Sequence, residues 1–420
     1  MKILWITNAL LPEAISKLIG EKDEIKGTGS WVQALADALK ERNNFEITIA
    51  AISDLVKELT FVQGELISYY AIPRGKGDCL YNNDYETAYR EINAMACPDL
   101  VHIHGSEYPH SLAALRAFGA EKTIVSLQGL VSIIARYNRG SISVVEALLN
   151  MTFHDILRGG MIRNQQRMFR SGKYEQQLLS EARFVIGRTS FDKQHTWAIN
   201  PKIKYFHVEE ALRKEFYDSE SWDYSKCTPH TIFMSQAAFP IKGLNKVVEA
   251  LGIVVQHYPN VKLRIAGQDL TYFSGSFKDK MRITGFGRIV KKIIKKNKLT
   301  DKVFFTGRLN AEEMIKEYLQ ANVYICASCI ENSPNSLAEA QILGVPCIAS
   351  YAGGIPDMMK GDEEHLYRFD DVEMMAFKIC NIFGKEGNIN TIASQQMAAI
   401  RHNKKRIIDE LINIYKEVAK

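Results

Sequence analysis

One stretch, Ala321–Met358, limits what this chain can fold into more than any other part of its sequence. It begins with the apolar run VYIC at Val323, crosses a polar loop and continues into a helix that Gly344 ends, and a second apolar run, Val345–Ile348, follows directly. Two buried strands joined by a helix are typical of a parallel pair, because parallel strands need a long crossover between them. The stretch therefore predicts an α/β fold whose ligands bind at the carboxyl ends of the strands.

Two carboxylates, Glu331 and Glu339, frame the loop and the first turns of this helix. Asn335 or Ser336 can cap the helix, which directs backbone N–H groups and the positive end of the helix dipole toward the loop. Such a helix end suits a phosphate, and carboxylates beside it accept hydrogen bonds from hydroxyls, so the arrangement fits a sugar nucleotide. The alternative is that Glu339 only complements the dipole and that Glu331 is solvated.

Several spaced elements resemble the signature of retaining glycosyltransferases of family 4. They are the spacing Glu331-x7-Glu339, the tripeptide Gly344-Val345-Pro346, and the segment AGGIP that ends at Pro356. The resemblance implies the GT-B fold, an α/β architecture of two Rossmann-like, doubly wound parallel-sheet domains that face each other across a cleft. It also implies metal-independent transfer of a hexose-type sugar from a UDP- or GDP-sugar to a hydroxyl of a glycan, polysaccharide or lipid-linked acceptor. Under this interpretation the enzyme needs no cofactor and no metal.

The chain has 420 residues, which is too long for one ordinary core. We predict an acceptor-side domain over residues 1–210 and a donor-binding domain over residues 211–400. The charged, aromatic segment 209–230 shows little periodicity and is interpreted as their connection. Residues 401–420 are predicted to form a helix that, by the resemblance, packs back on the first domain.

Lys242 lies at the start of a predicted helix, where the dipole disfavours a cation unless an anion shares the site. This conflict supports a phosphate contact, although a solvated surface lysine is the alternative. In the family that the chain resembles, an arginine a few residues earlier assists this lysine. Gln236 stands near that position here, and it can donate a hydrogen bond but carries no charge.

The other donor contacts are assigned by the resemblance and lie on loops that follow predicted strands. They are Glu331, which orients the transferred sugar; Asn332 and Ser333, whose backbone assists it; Asn335 and Ser336, whose amides bind the diphosphate with Lys242; Glu339, which binds the ribose hydroxyls; and Arg308, whose loop faces the nucleobase.

In the first domain the predicted strand Leu100–His104 lies within the string DLVHIHG, which resembles the family's D-x-V-H-x-H. The resemblance assigns a donor-sugar contact to His104, while His102 is interpreted as structural. A satisfied structural role is the alternative for His104. The resemblance also places a glycine loop, Gly27 and Gly29, against the diphosphate. We predict Glu331, His104 and Lys242 as the catalytic residues.

The composition limits the binding partners and the kinds of site that we expect. The net charge of +5 is mild and does not indicate a nucleic-acid-binding protein. The seven cysteines are odd in number and several lie inside apolar strand patterns, so we interpret them as buried free thiols of a reducing compartment. A metal or redox site at Cys326 and Cys329 is disfavoured, because no second pair or nearby histidine accompanies them.

The amino-terminal sequence MKILWIT runs directly into a predicted strand without a signal-peptide pattern, and no apolar segment reaches the roughly 20 residues that span a bilayer. We therefore expect a cytoplasmic protein. The segment 278–302 is basic and carries isoleucines at helical spacing, which leaves open peripheral contact with the inner membrane face. A solvated helix face is the alternative.

Two other functions remain compatible with the sequence. A sugar-nucleotide epimerase can share this architecture, and a non-catalytic nucleotide-sugar-binding protein would retain the donor site without transfer. Gln236, in place of a cation, keeps the second alternative open.

Overall fold

A computed structural model describes residues 1–20, 32, 35–36, 39, 45–75, 80–272 and 282–420. They form two compact units. Unit 1 comprises Met1–Ile133, Arg167–Ala211 and Asn403–Lys420, and unit 2 comprises Ile134–Gln166 and Leu212–His402. Residues 134–166, which lie inside the range predicted for the first domain, thus belong to unit 2.

Each unit contains one sheet, and the strands follow the apolar runs of the sequence. Within the described ranges the strands are β1 Lys2–Thr7, β2 Glu46–Ser53, β3 Thr60–Gln63, β4 Ser68–Pro73, β5 Leu100–His104, β6 Thr123–Ser126, β7 Phe184–Gly187, β8 Lys204–His207, β9 Thr231–Met234, β10 Lys262–Ile265, β11 Val303–Phe305, β12 Val323–Cys326, β13 Cys347–Ser350 and β14 Leu366–Tyr367.

Helices connect the strands and cover the sheets. Over the same ranges they are α1 Pro12–Ile19, α2 Asn83–Ala96, α3 Pro109–Phe118, α4 Val131–Tyr137, α5 Val144–Leu149, α6 Phe153–Arg158, α7 Met161–Glu181, α8 Ser190–Ile199, α9 Lys214–Tyr217, α10 Leu244–His257, α11 Gly285–Lys296, α12 Ala311–Gln320, α13 Asn335–Ile342, α14 Ile355–Met358, α15 Val372–Gly384, α16 Ile392–Arg401 and α17 Lys404–Val418.

The sheet of unit 1 has the order β3-β4-β2-β1-β5-β6-β7-β8 in the described part of the chain. All neighbours are parallel except β3, which pairs antiparallel with β4 at the edge. The central strands are buried along nearly their whole length, as expected for a parallel sheet covered by helices on both faces. Helix α17 belongs to this unit, where its apolar face joins a core that includes Trp5.

The sheet of unit 2 has the order β11-β10-β9-β12-β13-β14, and its neighbouring strands pair in parallel over the described residues. The segment 209–230 is more than the predicted connection. Leu212 and Phe216 are buried in a core cluster of unit 2, and the indole N–H of Trp222 donates to the carbonyl of Ala321 over 2.8 Å. Its aromatic side chains contribute to the core, which explains its composition. The two sheets confirm the predicted α/β class with two Rossmann-like domains.

Candidate functional site

The loop between β12 and α13 carries Glu331 and is fixed by the glycine segment that follows β13. The amide of Gly354 donates to the carbonyl of Glu331 over 2.9 Å. Gly353 has φ +58, and a Cβ at this position would collide with the same carbonyl. The backbone of Glu331 is therefore held by a contact that requires glycine, which explains why the AGGIP segment accompanies the glutamate.

Lys242 lies next to Glu331. It ends a short turn, Pro240–Lys242, that precedes α10. Its ammonium group forms an ion pair with Oε1 of Glu331, and the hydroxyl of Ser328 donates to the same oxygen over 2.8 Å. Burial lowers the pKa of Lys242, but the Glu331 carboxylate more than offsets it, so the net shift is upward. Lys242 thus stays protonated at neutral pH.

Helix α13 begins at Asn335, and its amino-terminal cap is Pro334. The predicted cap, Asn335 or Ser336, was therefore wrong by one or two positions. Because proline has no side-chain acceptor, the first N–H groups of the helix are not capped by that residue's side chain. The hydroxyl of Ser336 instead accepts from the hydroxyl of Tyr324 over 2.8 Å.

A small cavity opens at this helix start. Ser336 lines it together with Lys242, Glu331 and the exposed Gln236. The four residues, predicted from separate parts of the sequence, are thus brought together at one place in unit 2. Asn332 is buried and Ser333 half-buried in the loop beside it.

Glu339 lies inside α13 and is 6% exposed. Nε of Arg213 donates to its Oε1 over 3.0 Å, and the hydroxyl of Tyr318 donates to its Oε2 over 3.4 Å. Burial raises the pKa of Glu339, and the Arg213 guanidinium opposes that shift. A carboxylate has about four acceptor positions, so Glu339 keeps capacity for further hydroxyl donors.

Two glycines meet beyond the ends of β10 and β11. The amide of Gly267 donates to the carbonyl of Gly307 over 2.8 Å, and the reverse bond measures 3.1 Å. Both have positive φ, and the space on their Cβ side is open. Arg308, the predicted neighbour of the nucleobase, follows Gly307 and is exposed.

In unit 1 the two histidines of β5 are buried. His102 contacts the hydroxyl of Tyr415 through Nδ1 and the hydroxyl of Ser126 through Nε2, both at 2.6 Å. The ring of His104 lies tilted against that of His102, with centroids 3.8 Å apart, and meets the ring of Trp5 edge-on, with centroids 4.8 Å apart. Burial and the nearby Arg188 charge lower the pKa of His104 to about 3, so the ring is neutral. The predicted Gly27 and Gly29 lie outside the described residues.

The sequence did not single out Glu107, which follows β5. Burial raises the pKa of Glu107 to about 7, and the nearby Glu175 carboxylate contributes to this shift. Glu175 is itself buried and accepts from the hydroxyl of Ser106 over 2.7 Å and from the amide of Ser132 over 2.7 Å. Glu107 stands just after the DLVHIHG string in the sequence. Its partial burial could not be predicted, because it depends on α7, which lies far along the chain.

A second cavity, of about 400 Å³, lies in unit 1. Its polar lining includes Asn8, Asp54 and Arg74, and His110 and Tyr108 supply aromatic surface. Burial and the Arg74 charge lower the pKa of His110 to about 4. Amide, carboxylate and guanidinium groups beside aromatic rings form a suitable surface for a sugar, which presents hydroxyls at its edge and C–H groups on its faces.

Other candidate chemistry lies elsewhere in the described part of the chain. Cys326 and Cys329 are free, and burial raises the pKa of both thiols to about 12. Among the residues that the structure describes, only Asp362, Glu364 and His365 bring three metal-ligand atoms close together, and they do not line the cavity of Lys242. Within the same ranges, no helix has the length and apolar character needed to span a membrane.

Comparison with known proteins connects this geometry to a family. Residues 221–388 match the family described as glycosyl transferases group 1. The chain is also 27% identical over 143 residues to the sulfoquinovosyl transferase SQD2 of Arabidopsis thaliana, a match that covers 33% of this chain and 24% of that protein. The matched part thus spans about a quarter of this curated relative.

Solved structures share the fold over the whole chain. A sucrose-phosphate synthase from Thermosynechococcus elongatus has a TM-score of 0.67 at 15% identity, covering 99% of this chain and 98% of that one. Anabaena Alr3699/HepE in complex with UDP-glucose has a TM-score of 0.64 at 13% identity, covering 99% and 100%. These structures confirm the predicted GT-B fold. The family match over residues 221–388 confirms the predicted resemblance to glycosyltransferases, whereas the assignment to family 4 stays a prediction.

Proposed function

We propose that this chain, which carries a glycosyl transferases group 1 domain over residues 221–388, is a retaining glycosyltransferase that moves a hexose-type sugar from a UDP- or GDP-sugar to a hydroxyl acceptor. The observation that carries the proposal is the ion pair of Lys242 and Glu331 beside the start of α13. A sugar diphosphate can bind where one domain brings together a fixed cation, a helix amino terminus and carboxylates.

The donor's diphosphate is proposed to bind at the start of α13. The backbone amides of Asn335 and Ser336 and the positive end of the helix dipole attract its oxygens. Lys242 is charged and partly desolvated, so its attraction for an anion is stronger than that of a solvated lysine. When the donor binds, the ammonium group turns from Glu331 toward phosphate, and the Glu331 carboxylate becomes available to a sugar hydroxyl.

The nucleoside is proposed to lie along the next strands. Glu339 accepts the ribose hydroxyls, and Arg213 holds its carboxylate in place through Oε1. The open backbone of Gly267 and Gly307 lets a flat base approach closely, with Arg308 at its edge. The UDP and UDP-glucose complexes of HepE support the uridine form of the donor, although they are complexes of that protein.

The transfer step is proposed to proceed without a metal or a protein base. The acceptor oxygen attacks the anomeric carbon on the face of the leaving group while the bond to the diphosphate oxygen breaks. The diphosphate takes the proton of the acceptor hydroxyl, and Lys242 with the helix amides stabilises its charge. Glu331 orients the sugar, and the donor-sugar contact of His104 stays a prediction of the resemblance. The acceptor, a glycan, polysaccharide or lipid-linked sugar, is assigned to the unit 1 cavity lined by Asn8 and Arg74.

The test begins with the purified chain and a panel of UDP- and GDP-sugars. We expect one donor to raise the melting temperature of the wild type and to do so much less for Lys242→Ala. Release of nucleoside diphosphate is then measured with sugar and glycolipid acceptors, with and without EDTA, and the anomeric configuration of the product is read by NMR. Activity that EDTA leaves unchanged and a retained configuration are the expected results.

Conversion of the donor alone into an isomeric nucleotide sugar would replace the transferase by the epimerase alternative. Donor binding without turnover in any acceptor mixture would favour the non-catalytic alternative. Loss of activity in EDTA, restored by a divalent cation, would contradict metal independence.

A further inference from the structure

A short segment of unit 2, Val144–Leu157, carries its large apolar side chains on the outside. Eight of its fourteen residues are large apolar residues that are at least 39% exposed, and Leu149 reaches 75%. Exposed apolar residues are ordinary when scattered, but a contiguous group marks a contact surface. The group, called the apolar face below, consists of Val144, Val145, Leu148, Leu149, Met151, Phe153, Ile156 and Leu157.

The inner side of the same segment is polar, which reverses the usual pattern of a surface helix. Asn150, Thr152 and Asp155 are buried. Asp155 accepts from the amide of Gly285 at the start of α11 over 2.8 Å and from the amide of Thr152 over 3.0 Å. Lys292 of α11 donates to Oδ1 of Asn150 over 2.6 Å. Specific hydrogen bonds thus hold the segment on α11 with its apolar face outward.

These contacts argue against a segment that is merely poorly packed. Thr152 and Asp155 form a complete capping box for α6, so the orientation of that helix is defined. Asp155 also satisfies the backbone of the neighbouring helix. If the segment rolled over to bury Leu149 or Ile156, it would have to break these bonds and expose the partners of a buried carboxylate. The exposed face is therefore the stable arrangement of this chain.

The helix that holds the segment is strongly basic. Residues 282–300 contain seven lysines and arginines and no acidic residue. Arg288 donates to the carbonyl of Met151 over 3.2 Å, which places guanidinium charge beside the apolar face. Lys292, Lys295 and Lys296 are exposed, and Arg158 is exposed at the end of α6 itself. The partner of this face is expected to combine an apolar interior with anionic groups at its edge.

We propose that the apolar face and the cations of α11 form a docking surface for an anionic lipid bilayer. The apolar side chains enter the boundary between headgroups and acyl chains, while the cations lie among the lipid phosphates. Two short helices are sufficient for this, since such binding depends on buried apolar area and charge and not on a spanning segment. The inference goes beyond the proposed transfer and does not depend on it.

The test is co-sedimentation of the full chain with vesicles of phosphatidylcholine alone or mixed with phosphatidylglycerol. We expect binding to the mixed vesicles and about tenfold weaker binding to the neutral ones, with loss of binding at high salt. Leu149→Asp with Ile156→Asp should weaken binding to the mixed vesicles by about tenfold or more. Phe377→Asp is the matched control, because Phe377 is an exposed apolar residue of α15, 65% exposed, outside the apolar face.

A second variant separates charge from apolar burial. Lys295→Glu with Lys296→Glu should reduce binding at low salt and flatten its salt dependence, while the apolar contribution remains. The donor should shift the melting temperature of every variant as much as that of the wild type. The experiment therefore distinguishes a failure of the proposed donor binding from a failure of the proposed bilayer docking. Absence of wild-type binding to mixed vesicles would overturn the inference. So would self-association of the wild type that Leu149→Asp abolishes, since a second copy would then cover the face.

Discussion

The titratable groups at the carboxyl ends of the two sheets are accommodated in different ways. In unit 2 the carboxylates have cationic partners, Lys242 for Glu331 and Arg213 for Glu339. In unit 1 the end of β5 carries the buried His104 and the half-buried Glu107. Burial shifts both toward neutrality, with the pKa of His104 near 3 and that of Glu107 near 7. The contrast teaches that the unit 2 site is built from ion pairs and suits an anionic donor. The end of β5 in unit 1 presents groups that are shifted toward neutrality, which suits an uncharged sugar.

The largest expected effect tests the charged side of this contrast. Lys242→Ala removes the cation beside the diphosphate, and loss of one such group typically lowers turnover by about 100-fold, or roughly 2.7 kcal/mol. Steady-state kinetics measures kcat, and thermal unfolding checks that the variant folds. The matched control is Lys246→Ala. Lys246 lies one turn further along the chain and forms an ion pair with Glu249. Equal rates for the two variants would remove Lys242 from the site.

The next effect concerns donor affinity. Glu339→Gln keeps the shape of the side chain but removes the charge that Arg213 and the ribose hydroxyls share. We expect the donor to bind about tenfold more weakly, which corresponds to about 1.4 kcal/mol, with a smaller change in kcat. Isothermal titration with the nucleoside diphosphate measures the change. Glu373→Gln, on the exposed start of α15, serves as the control and should bind the donor as the wild type does.

A third prediction tests the neutral side. The pKa of Glu107 rises to about 7, mainly through burial, whereas the unfolded chain releases this proton near 4.5. Between these values the folded protein binds more protons, so this group makes the free energy of unfolding fall as pH rises from 4.5 through 7. Glu107→Gln should remove that loss. On going from pH 5 to pH 8, the free energy of unfolding should therefore rise in the variant relative to the wild type. Because the side chain is half-buried, solvent screening limits this relative gain to about 1 kcal/mol.

Urea unfolding at the two pH values measures this difference. A gain of the same size for the exposed Glu58→Gln of unit 1 would show that the effect is general and not due to Glu107.

The smallest expected effect sharpens the comparison within unit 2. Gln236→Arg adds a second cation to the cavity of Lys242, at the position where the resembled family has an arginine. Since Gln236 is exposed, the added charge is screened, and we expect a gain of only about 0.5 kcal/mol, or roughly twofold tighter donor binding. The uncharged Gln236→Met is the control. A large loss of binding in the arginine variant would indicate that the glutamine itself contacts the donor.

The sequence predicted those parts of this site whose residues lie close together along the chain. The grouping of Glu331 with the start of α13 was predictable, since both lie in one strand–loop–helix unit, and the resemblance added Lys242. Arg213 was missed because its partner Glu339 is 126 residues away and its own segment has no periodicity. The burial of Glu107 was equally hidden, because it depends on a distant helix that brings Glu175 beside it.

The fold was predicted with similar strengths and gaps. The buried strand Leu100–His104 was located to the residue. Strand β3 was missed, since only four residues with one buried position form this edge strand. The sequence did not predict that residues 144–181 divide into α5, α6 and α7, or that α5 and α6 carry an outward apolar face.

The hydroxyl of Tyr415 joins the last helix to the first strand: the indole of Trp5 donates to it over 3.1 Å, and His102 of β5 contacts it over 2.6 Å. Unit 1 is therefore assembled from segments that lie on both sides of unit 2 in the sequence. During synthesis the amino-terminal sheet must wait, incomplete on one face, until all of unit 2 has emerged. Such a long closure slows folding and leaves apolar surface open to aggregation or to chaperones in the meantime. A nascent chain released before residue 404 would carry that unfinished face permanently.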